Sequence, residues 1–203
     1  LADSLADRDV SILCNNAGVS GGGGNTWEIT PNDWTWVLGV NLMGVVHCLQ
    51  FFVPRMLAHG EEGHIVHTSS ILGMTTGAGS VYAVSKHALT RLTEGLYIDL
   101  QSHGANIGVS LLCPGPIATR IAHSDRNRTP ELSNHGDGPG PDSSELRQRM
   151  DQYFQEHGMS PDRVGEITVE AIRAPRLYVW THPELNANIE RGYPYDGQSS
   201  AGA

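Results

Sequence analysis

The chain has 203 residues, 39 % of them hydrophobic, enough to bury the core of one globular domain. Its formal net charge of −9 at pH 7 disfavours nucleic acid and anionic membrane surfaces as partners. The three cysteines, Cys14, Cys48 and Cys113, are odd in number and fall in segments expected to be buried, so they read as reduced core thiols rather than a disulfide framework.

Residues 1–9 read as the tail of a helix. Val10–Asn16 is a nearly continuous apolar strand, as expected where helices cover both faces of a parallel sheet. Gly18-Val19-Ser20-Gly21-Gly22 fits the G-x-S-x-G pattern of hydrolases. A nucleophile elbow needs a helix immediately afterwards, and here more glycines follow, so Gly21–Gly24 is read as a flexible rim loop. Thr30-Pro31-Asn32-Asp33 opens a helix with Thr as N-cap, Pro at the first position and Asp at the third. That helix is expected to run to about Leu57, with Gly60 stopping it. Trp27, Trp34 and Trp36 near its start read as packing residues. The apolar run around Trp36–Val53 is interrupted by Asn41, His47 and Gln50, which suits a buried helix and not a membrane span.

A second strand is expected at His64–Ser69. His64 and His67, three apart, would face opposite sides and make a poor metal pair. The ten histidines lack carboxylate or cysteine partners at ligand spacing, so no metal is expected and they read as surface or helix-end residues. Helix Val81–His103 carries leucines at 89, 92, 96 and 100 and closes at Gly104. Strand Ile107–Cys113 ends at Pro114-Gly115. Residues 121–145 are rich in Pro, Gly, Ser, Asp and Asn and read as a mobile loop. Helical segments at 146–157 and 161–174, a strand at Leu177–Thr181 and a polar tail complete the chain. Strands alternating with helices predict one α/β domain over residues 1–203, a Rossmann-type doubly wound parallel sheet in three α/β/α layers.

Lys86 is the only lysine; the twelve other cationic side chains are arginines. It lies four residues after Tyr82, on the same face of a helix. An ammonium is a compact charge with a tunable pKa, unlike the rigid guanidinium fork. Beside a phenol it favours phenolate and lowers a pKa that is normally about 10, making a general acid/base near neutral pH. Upstream, the strand ending in Ser69-Ser70 brings a hydroxyl to the carboxyl edge of the sheet, where open α/β folds place their ligands.

Five motifs in order resemble the short-chain dehydrogenase/reductase family: Asn15-Asn16-Ala17-Gly18 after a strand, Val40-Asn41-Leu42 within a helix, Ser69-Ser70-Ile71-Leu72-Gly73, Tyr82-x3-Lys86, and Pro114-Gly115-Pro116-Ile117-Ala118-Thr119. Together they cover most of residues 10–120. The resemblance implies an NAD(P)-dependent oxidoreductase that interconverts an alcohol with a ketone or aldehyde. Hydride transfer would belong to NAD or NADP, which the sequence does not distinguish. Tyr82 would exchange a proton with the substrate oxygen, Lys86 would lower its pKa and bind the nicotinamide ribose, and Ser70 would polarise the substrate oxygen. Asn41 would anchor a water that relays protons to Lys86. Asn16, Ala17 and Gly18 would line the cofactor together with Tyr82 and Lys86, and Pro114, Gly115, Ile117 and Thr119 would meet its nicotinamide end. The loop 121–145 would form the substrate pocket. A cytoplasmic homodimer or homotetramer acting on a small molecule is implied, with the helices Asn32–Leu57 and Val81–His103 as its interface.

Two departures from the family pattern stand out. The family serine usually precedes the tyrosine by thirteen residues; Ser69 meets that count, whereas Ser70 keeps the family position relative to Gly73. Adjacent strand residues face opposite sides, and Ser70 is preferred because a deletion in the loop 74–80 leaves the strand end untouched. The TGxxxGxG loop that cradles the cofactor pyrophosphate is also absent from the 203 residues, as if about 70 residues of βα units preceded Leu1. A non-catalytic fragment or binding subunit is therefore the leading alternative. An epimerase or dehydratase of the extended branch shares Tyr-x3-Lys but usually carries a larger C-terminal domain. In such a fragment, strand Val10–Asn16 would be an exposed apolar edge that invites self-association, and cofactor binding would be lost.

Overall fold

The computed structural model describes residue 5 and residues 8–75, 80–134 and 143–186. Four parallel strands form one sheet in the order β1 (Ile12–Asn15), β2 (Gly63–Thr68), β3 (Ile107–Cys113) and β4 (Tyr178–Trp180). Helices α1 (Pro31–Leu38) and α2 (Gly44–His59) follow β1, α3 (Val81–Ser102) follows β2, and α4 (Ser143–His157) and α5 (Pro161–Arg173) follow β3. This is the expected α/β architecture of a Rossmann-type sheet.

Strand alternation sends the two sides of each strand to different helices. Leu13, Ile65, Ile107 and Val109 pack with Phe52 and Met56 of α2 and Leu100 of α3. Val66, Leu112 and Val179 face the other way, onto Ile167 and Ala171 of α5. A third cluster, Val19, Ile29, Trp36, Val37 and Val81, joins the segment after β1 to α1 and the first residue of α3.

The first helical region is built as its residues dictate. Thr30 Oγ1 accepts from Asp33 N at 3.1 Å, Asp33 Oδ2 accepts from Thr30 N at 3.3 Å, and Pro31 takes the first turn. Between α1 and α2 the helix widens into a π turn, Gly39–Met43, that carries Asn41. Gly60, at φ 70°, closes α2 in a left-handed cap, with its N–H on Met56 O at 3.3 Å. By length and composition the run Pro31–His59 is apolar enough to cross a membrane. Its apolar side chains Val45, Phe52 and Met56 are buried against the protein, and so are its polar Asp33 and Asn41.

Several expectations change. Cys14 is exposed, not buried, because it shares with Ile12 (53 % exposed) the face of edge strand β1 opposite Leu13. Cys48 is half-buried and Cys113 buried. Segment 121–145 is not a featureless loop: short 3-10 turns occupy Ile121–Asn127 and Pro130–Leu132, and α4 starts at Ser143. Residues 135–142 and the polar tail from 187 lie outside the described residues.

His64 and His67 are core residues rather than surface ones. His64 Nε2 meets Ser110 Oγ at 2.9 Å, and its ring fills the space where a side chain on Gly108, its neighbour in register, would stand. His67 Nδ1 meets Thr93 Oγ1 at 2.9 Å, while its Nε2 is buried with no protein partner. Thr93 Oγ1 donates to Leu89 O at 2.7 Å, so the imidazole donates through Nδ1 and is neutral.

Burial pushes the His67 pKa from the ordinary 6.5 down to about 4, and lowers that of His64 as well. Below pH 6.5 the unfolded chain takes up protons that the folded one refuses, so stability is full above that pH and is lost as pH falls towards 4. For His67 the loss amounts to about 3 kcal/mol, at about 1.4 kcal/mol per pKa unit. Urea unfolding measured between pH 7 and pH 4 is expected to show this slope, and His67→Asn is expected to flatten it.

Candidate active site

The carboxyl edge of the sheet gathers the loop after β1, the Ser69-Ser70 step after β2 and the Pro114–Thr119 loop after β3. Helix α3 starts over this edge. Ser80 caps it, its Oγ accepting from Ala83 N at 3.0 Å, so Tyr82 and Lys86 fall in the first two turns.

Ser69 and Ser70 point to different places. Ser69, 2 % exposed, donates its hydroxyl to Lys86 O at 3.1 Å and lies 3.1 Å from Thr90 Oγ1. It ties the end of β2 to α3. A side chain at Gly73 would stand 2.5 Å from Ser69 Oγ and 2.8 Å from Lys86 O, so only glycine lets the Ile71–Gly73 turn close onto α3. Ser70 Oγ accepts from Leu72 N at 3.2 Å and stands near enough to the Tyr82 phenol to favour its ionised form.

Lys86, 3 % exposed, extends its ammonium to Thr68 O at 2.7 Å. The Nζ lies 5.6 Å from the centroid of the Tyr82 ring. Burial lowers its pKa from 10.5 to about 8, with nearby Cys113 acting in the opposite direction. The Cys113 thiol is itself pushed up to about 12 by burial.

The expected lowering of the tyrosine pKa is not what the geometry gives. Burial raises the Tyr82 pKa, and nearby Ser70 only partly offsets it. The ammonium is directed at the Thr68 carbonyl instead of the phenol oxygen. At neutral pH the phenol therefore carries its proton.

Asn41 is fully buried, and its amide spans three partners. Its Oδ1 accepts from Val19 N at 2.8 Å, and its Nδ2 donates to Val19 O at 3.0 Å and to Ser85 Oγ at 2.9 Å. Ser85 Oγ in turn donates to Tyr82 O at 2.7 Å. Asn41 thus locks the loop after β1 to the turn that carries Tyr82 and Lys86. Gly18 faces the same spot: a Cβ there would lie 3.5 Å from Lys86 Nζ and 3.6 Å from Asn41 Oδ1. Asn16 and Ala17 are exposed on the edge, and Asn16 Oδ1 accepts from Thr68 Oγ1 at 2.9 Å.

The loop after β3 is fastened on three sides. Pro114 O accepts from Ile71 N at 2.8 Å, and Gly115 N donates to Thr181 Oγ1 at 3.1 Å. Ile117 pairs with Met159: Met159 N donates to Pro116 O and Ala118 N to Met159 O, each at 3.0 Å. Thr119 O accepts from Gln155 Nε2 at 3.2 Å. The residues expected at the site thus share one edge, with Ser70, Tyr82, Lys86, Asn41 and Gly18 closest together.

Sequence reasoning missed Ser85, Thr90, Thr181 and the Thr68 carbonyl. Ser85 carried a signal, since it immediately precedes the sole lysine. A backbone carbonyl carries none. Among the described residues, no group of His, Cys, Asp and Glu is placed to hold a metal ion.

A family profile described as short chain dehydrogenase matches residues 4–130. A 1-deoxy-11-beta-hydroxypentalenate dehydrogenase of Streptomyces exfoliatus is 41 % identical over 193 residues, 93 % of this chain and 62 % of its own length. A CLA biosynthesis dehydrogenase/reductase of Lactiplantibacillus plantarum is 30 % identical over 183 residues, covering 89 % of this chain and 64 % of its own. A short chain dehydrogenase/reductase from Burkholderia phymatum, crystallised in complex with NAD, superposes with a TM-score of 0.87 at 37 % identity, over 98 % of this chain and 75 % of that one. The chain spans about three fifths of the length of the curated relatives it matches.

The two serines are expected to separate in mutagenesis. Ser69→Ala leaves the Lys86 carbonyl with one donor fewer and is expected to cost stability, about 1 kcal/mol by urea denaturation. Ser70→Ala removes the acceptor for Leu72 N and is expected to cost a similar amount of stability, but it alone is expected to slow turnover by roughly 10²-fold, the scale of losing one preorganised donor. Paired denaturation and steady-state measurements check this; the reverse ranking would assign the substrate-facing role to Ser69.

Proposed function

This chain belongs to the short-chain dehydrogenase family, and we propose that the protein is an NAD- or NADP-dependent oxidoreductase interconverting an alcohol and a ketone or aldehyde. The observation that carries this reading is the buried Lys86 ammonium, 5.6 Å from the Tyr82 ring and hydrogen-bonded to Thr68 O at the sheet edge beside Ser70. The Streptomyces relative, a dehydrogenase of a hydroxylated compound, and the NAD-bound Burkholderia structure support it.

The residues on this edge fit the nicotinamide-ribose half of such a cofactor. Gly18 has no side chain to fill the space beside Lys86 and Asn41, and Asn16 and Ala17 are open to solvent. The cofactor, when bound, supplies or takes up the hydride. The remaining work belongs to the chain. Ser70 holds the substrate oxygen by hydrogen bonding. Tyr82 passes a proton to that oxygen in reduction and receives it in oxidation. Lys86, protonated below about pH 8, keeps a positive charge beneath the site and a donor for a ribose hydroxyl. Asn41 holds the loop after β1 at the distance the lysine needs. Pro114, Gly115, Ile117 and Thr119 form the fastened wall at the nicotinamide end.

A homodimer or homotetramer is also proposed. Met43 and Leu57 of the first helical run and Val84, Tyr97 and Ile98 of α3 are large apolar side chains left exposed. Light scattering tests this directly.

The reaction is tested by Tyr82→Phe and Lys86→Arg in the full-length protein, assayed with alcohols and NAD or NADP. Each is expected to lower kcat/KM by roughly 10²-fold or more. Near-normal rates in both would sink the mechanism. The raised Tyr82 pKa also sets a pH signature. Oxidation needs the phenolate, so its rate is expected to climb through the alkaline range, while reduction, which uses the protonated phenol, is expected to hold at neutral pH and fall as the phenol ionises.

A further inference from the structure

The most heavily built polar site away from Tyr82 joins the start of α1 to the segment before residue 135. Arg128 stands between the two 3-10 turns that follow β3. Its Nη1 donates to Asp33 Oδ1 at 2.7 Å, its Nε to Leu132 O at 2.6 Å, and its guanidinium lies 4.9 Å from the centroid of the Trp36 ring. Asp33 Oδ2 accepts from Thr30 Oγ1 at 2.7 Å and from Asn134 Nδ2 at 3.0 Å. The two charged side chains are only 8 % and 4 % exposed. Gly22 presses on the carboxylate from the other side, where a Cβ would stand 2.9 Å from Oδ2. Burial pushes the Asp33 carboxyl up, but the hydrogen bonds from Thr30, Arg128 and Asn134 and the Arg128 charge outweigh it and hold it below the usual range.

A buried ion pair adds little to stability over an apolar pair of the same shape, so its retention points to geometry. A guanidinium fork engages the α1 carboxylate, its own loop carbonyl and an aromatic face at once, which sets both position and angle. What it positions lies next to the reacting tyrosine. Leu132 and Trp36 pack in the cluster that contains Val81, the residue before Tyr82. The same segment is held at its other end, where Ser20 N donates to Ser124 Oγ at 3.0 Å and Ser20 Oγ to Ile121 O at 3.1 Å. Gly21, next to that clamp, is so close to Val81 that a Cβ would lie 3.0 Å from it. The loop after β3 that faces the cofactor is fastened separately, by Thr181 and Met159.

We propose that the Asp33–Arg128 pair is a fixed clasp that positions residues 121–134 against the start of α3, and that it governs how the alcohol or carbonyl substrate, but not the cofactor, is held at Tyr82. Asp33 and Arg128 are positioning residues, and the substrate half of this inference rests on the dehydrogenase reading above.

The test compares the full-length protein with Arg128→Met and Arg128→Lys, by amide hydrogen exchange and by steady-state kinetics with separate KM values. In Arg128→Met, exchange at 121–134 is expected to rise by at least about tenfold and the alcohol KM by a similar factor, because the carboxylate is left buried and unpaired. The cofactor KM and kcat are expected to stay within about twofold, since the site groups and the β3 loop are untouched. Arg128→Lys keeps the charge but loses the fork and is expected to fall between the two. If circular dichroism shows Arg128→Met unfolded, Asn134→Ala, which removes one donor to Asp33 and no charge, carries the same expectation at about two- to threefold.

Unchanged exchange at 121–134 in a folded variant overturns the clasp. Raised exchange with an unchanged alcohol KM, or an equal rise in both KM values, overturns its role in substrate positioning. An inactive wild type overturns the dehydrogenase reading and the substrate half with it, while exchange at 121–134 still decides the clasp.

Discussion

The Lys86 ammonium held against the Thr68 carbonyl is the contact on which the carboxyl edge is organised. Placing an ammonium in a site where it is 3 % exposed is costly, and burial already draws its pKa to about 8. The neighbouring chain supplies what compensates. The carbonyl at the end of β2 accepts from it, and the helix that carries it is fastened by Ser69 at its Lys86 carbonyl. Gly73 removes the side chain that would keep the two apart. If the ammonium were not there, Thr68 O would lose its donor. Charge, strand end and helix start are therefore one unit.

That unit explains why burial, and not the lysine charge, decides the protonation of Tyr82. Two residues four apart on a helix share a face, but a shared face does not dictate where a long, flexible side chain ends. Lys86 reaches past the ring, at 5.6 Å from its centroid, to the strand carbonyl. The phenol is left with Ser70 as its neighbour and with desolvation as the larger influence. A protonated phenol beside a serine hydroxyl is a hydrogen-bond donor facing the sheet edge.

Elements with strong local signals were legible in the sequence. The capping box of Thr30 and Asp33, the left-handed Gly60 and the strand Ile107–Cys113, apolar but for Gly108 and Ser110, each carry their structural reason in a few consecutive residues. The ordered motifs placed Tyr82, Lys86, Ser70, Asn41 and Gly18 on one edge because the parallel sheet brings all its strand ends there. What escaped were properties set by partners distant in sequence. Whether Cys14 is covered depends on what packs over one face of β1, which its own strand does not encode. His64 and His67 read as surface residues because imidazole is usually exposed, whereas here Ser110 and Thr93 satisfy one nitrogen of each inside the core. Segment 121–134 reads as a loop from its Pro and Asn content, yet its order comes from Asp33, Ser20 and Trp36, about a hundred residues earlier, and from Arg147 and Asp151 of α4.

Those long-range ties divide the edge into two halves that share α4 and otherwise have different anchors. The loop after β3 is bound to the residue that follows β4 through Thr181 and to the turn after α4 through Met159, both downstream of it. Segment 121–134 is bound upstream, to Ser20 and to the first turn of α1, and downstream to α4, where Arg147 pairs with Asp125 and Asp151 lies 3.4 Å from His123 Nε2. The Tyr82 helix start touches the second group directly through Val81, in the same apolar cluster as Trp36 and Leu132. A displacement of α1 would therefore move the wall beside the tyrosine while leaving the Gly115–Thr119 loop on its own supports. The architecture lets one wall vary with residues of α1 and 121–134 while the Ser70–Tyr82–Lys86 geometry, held by Asn41, Ser69 and Thr68, stays constant. Partly separate anchoring of this kind is what a fold needs if loop variation is to change what binds without moving the groups at the sheet edge.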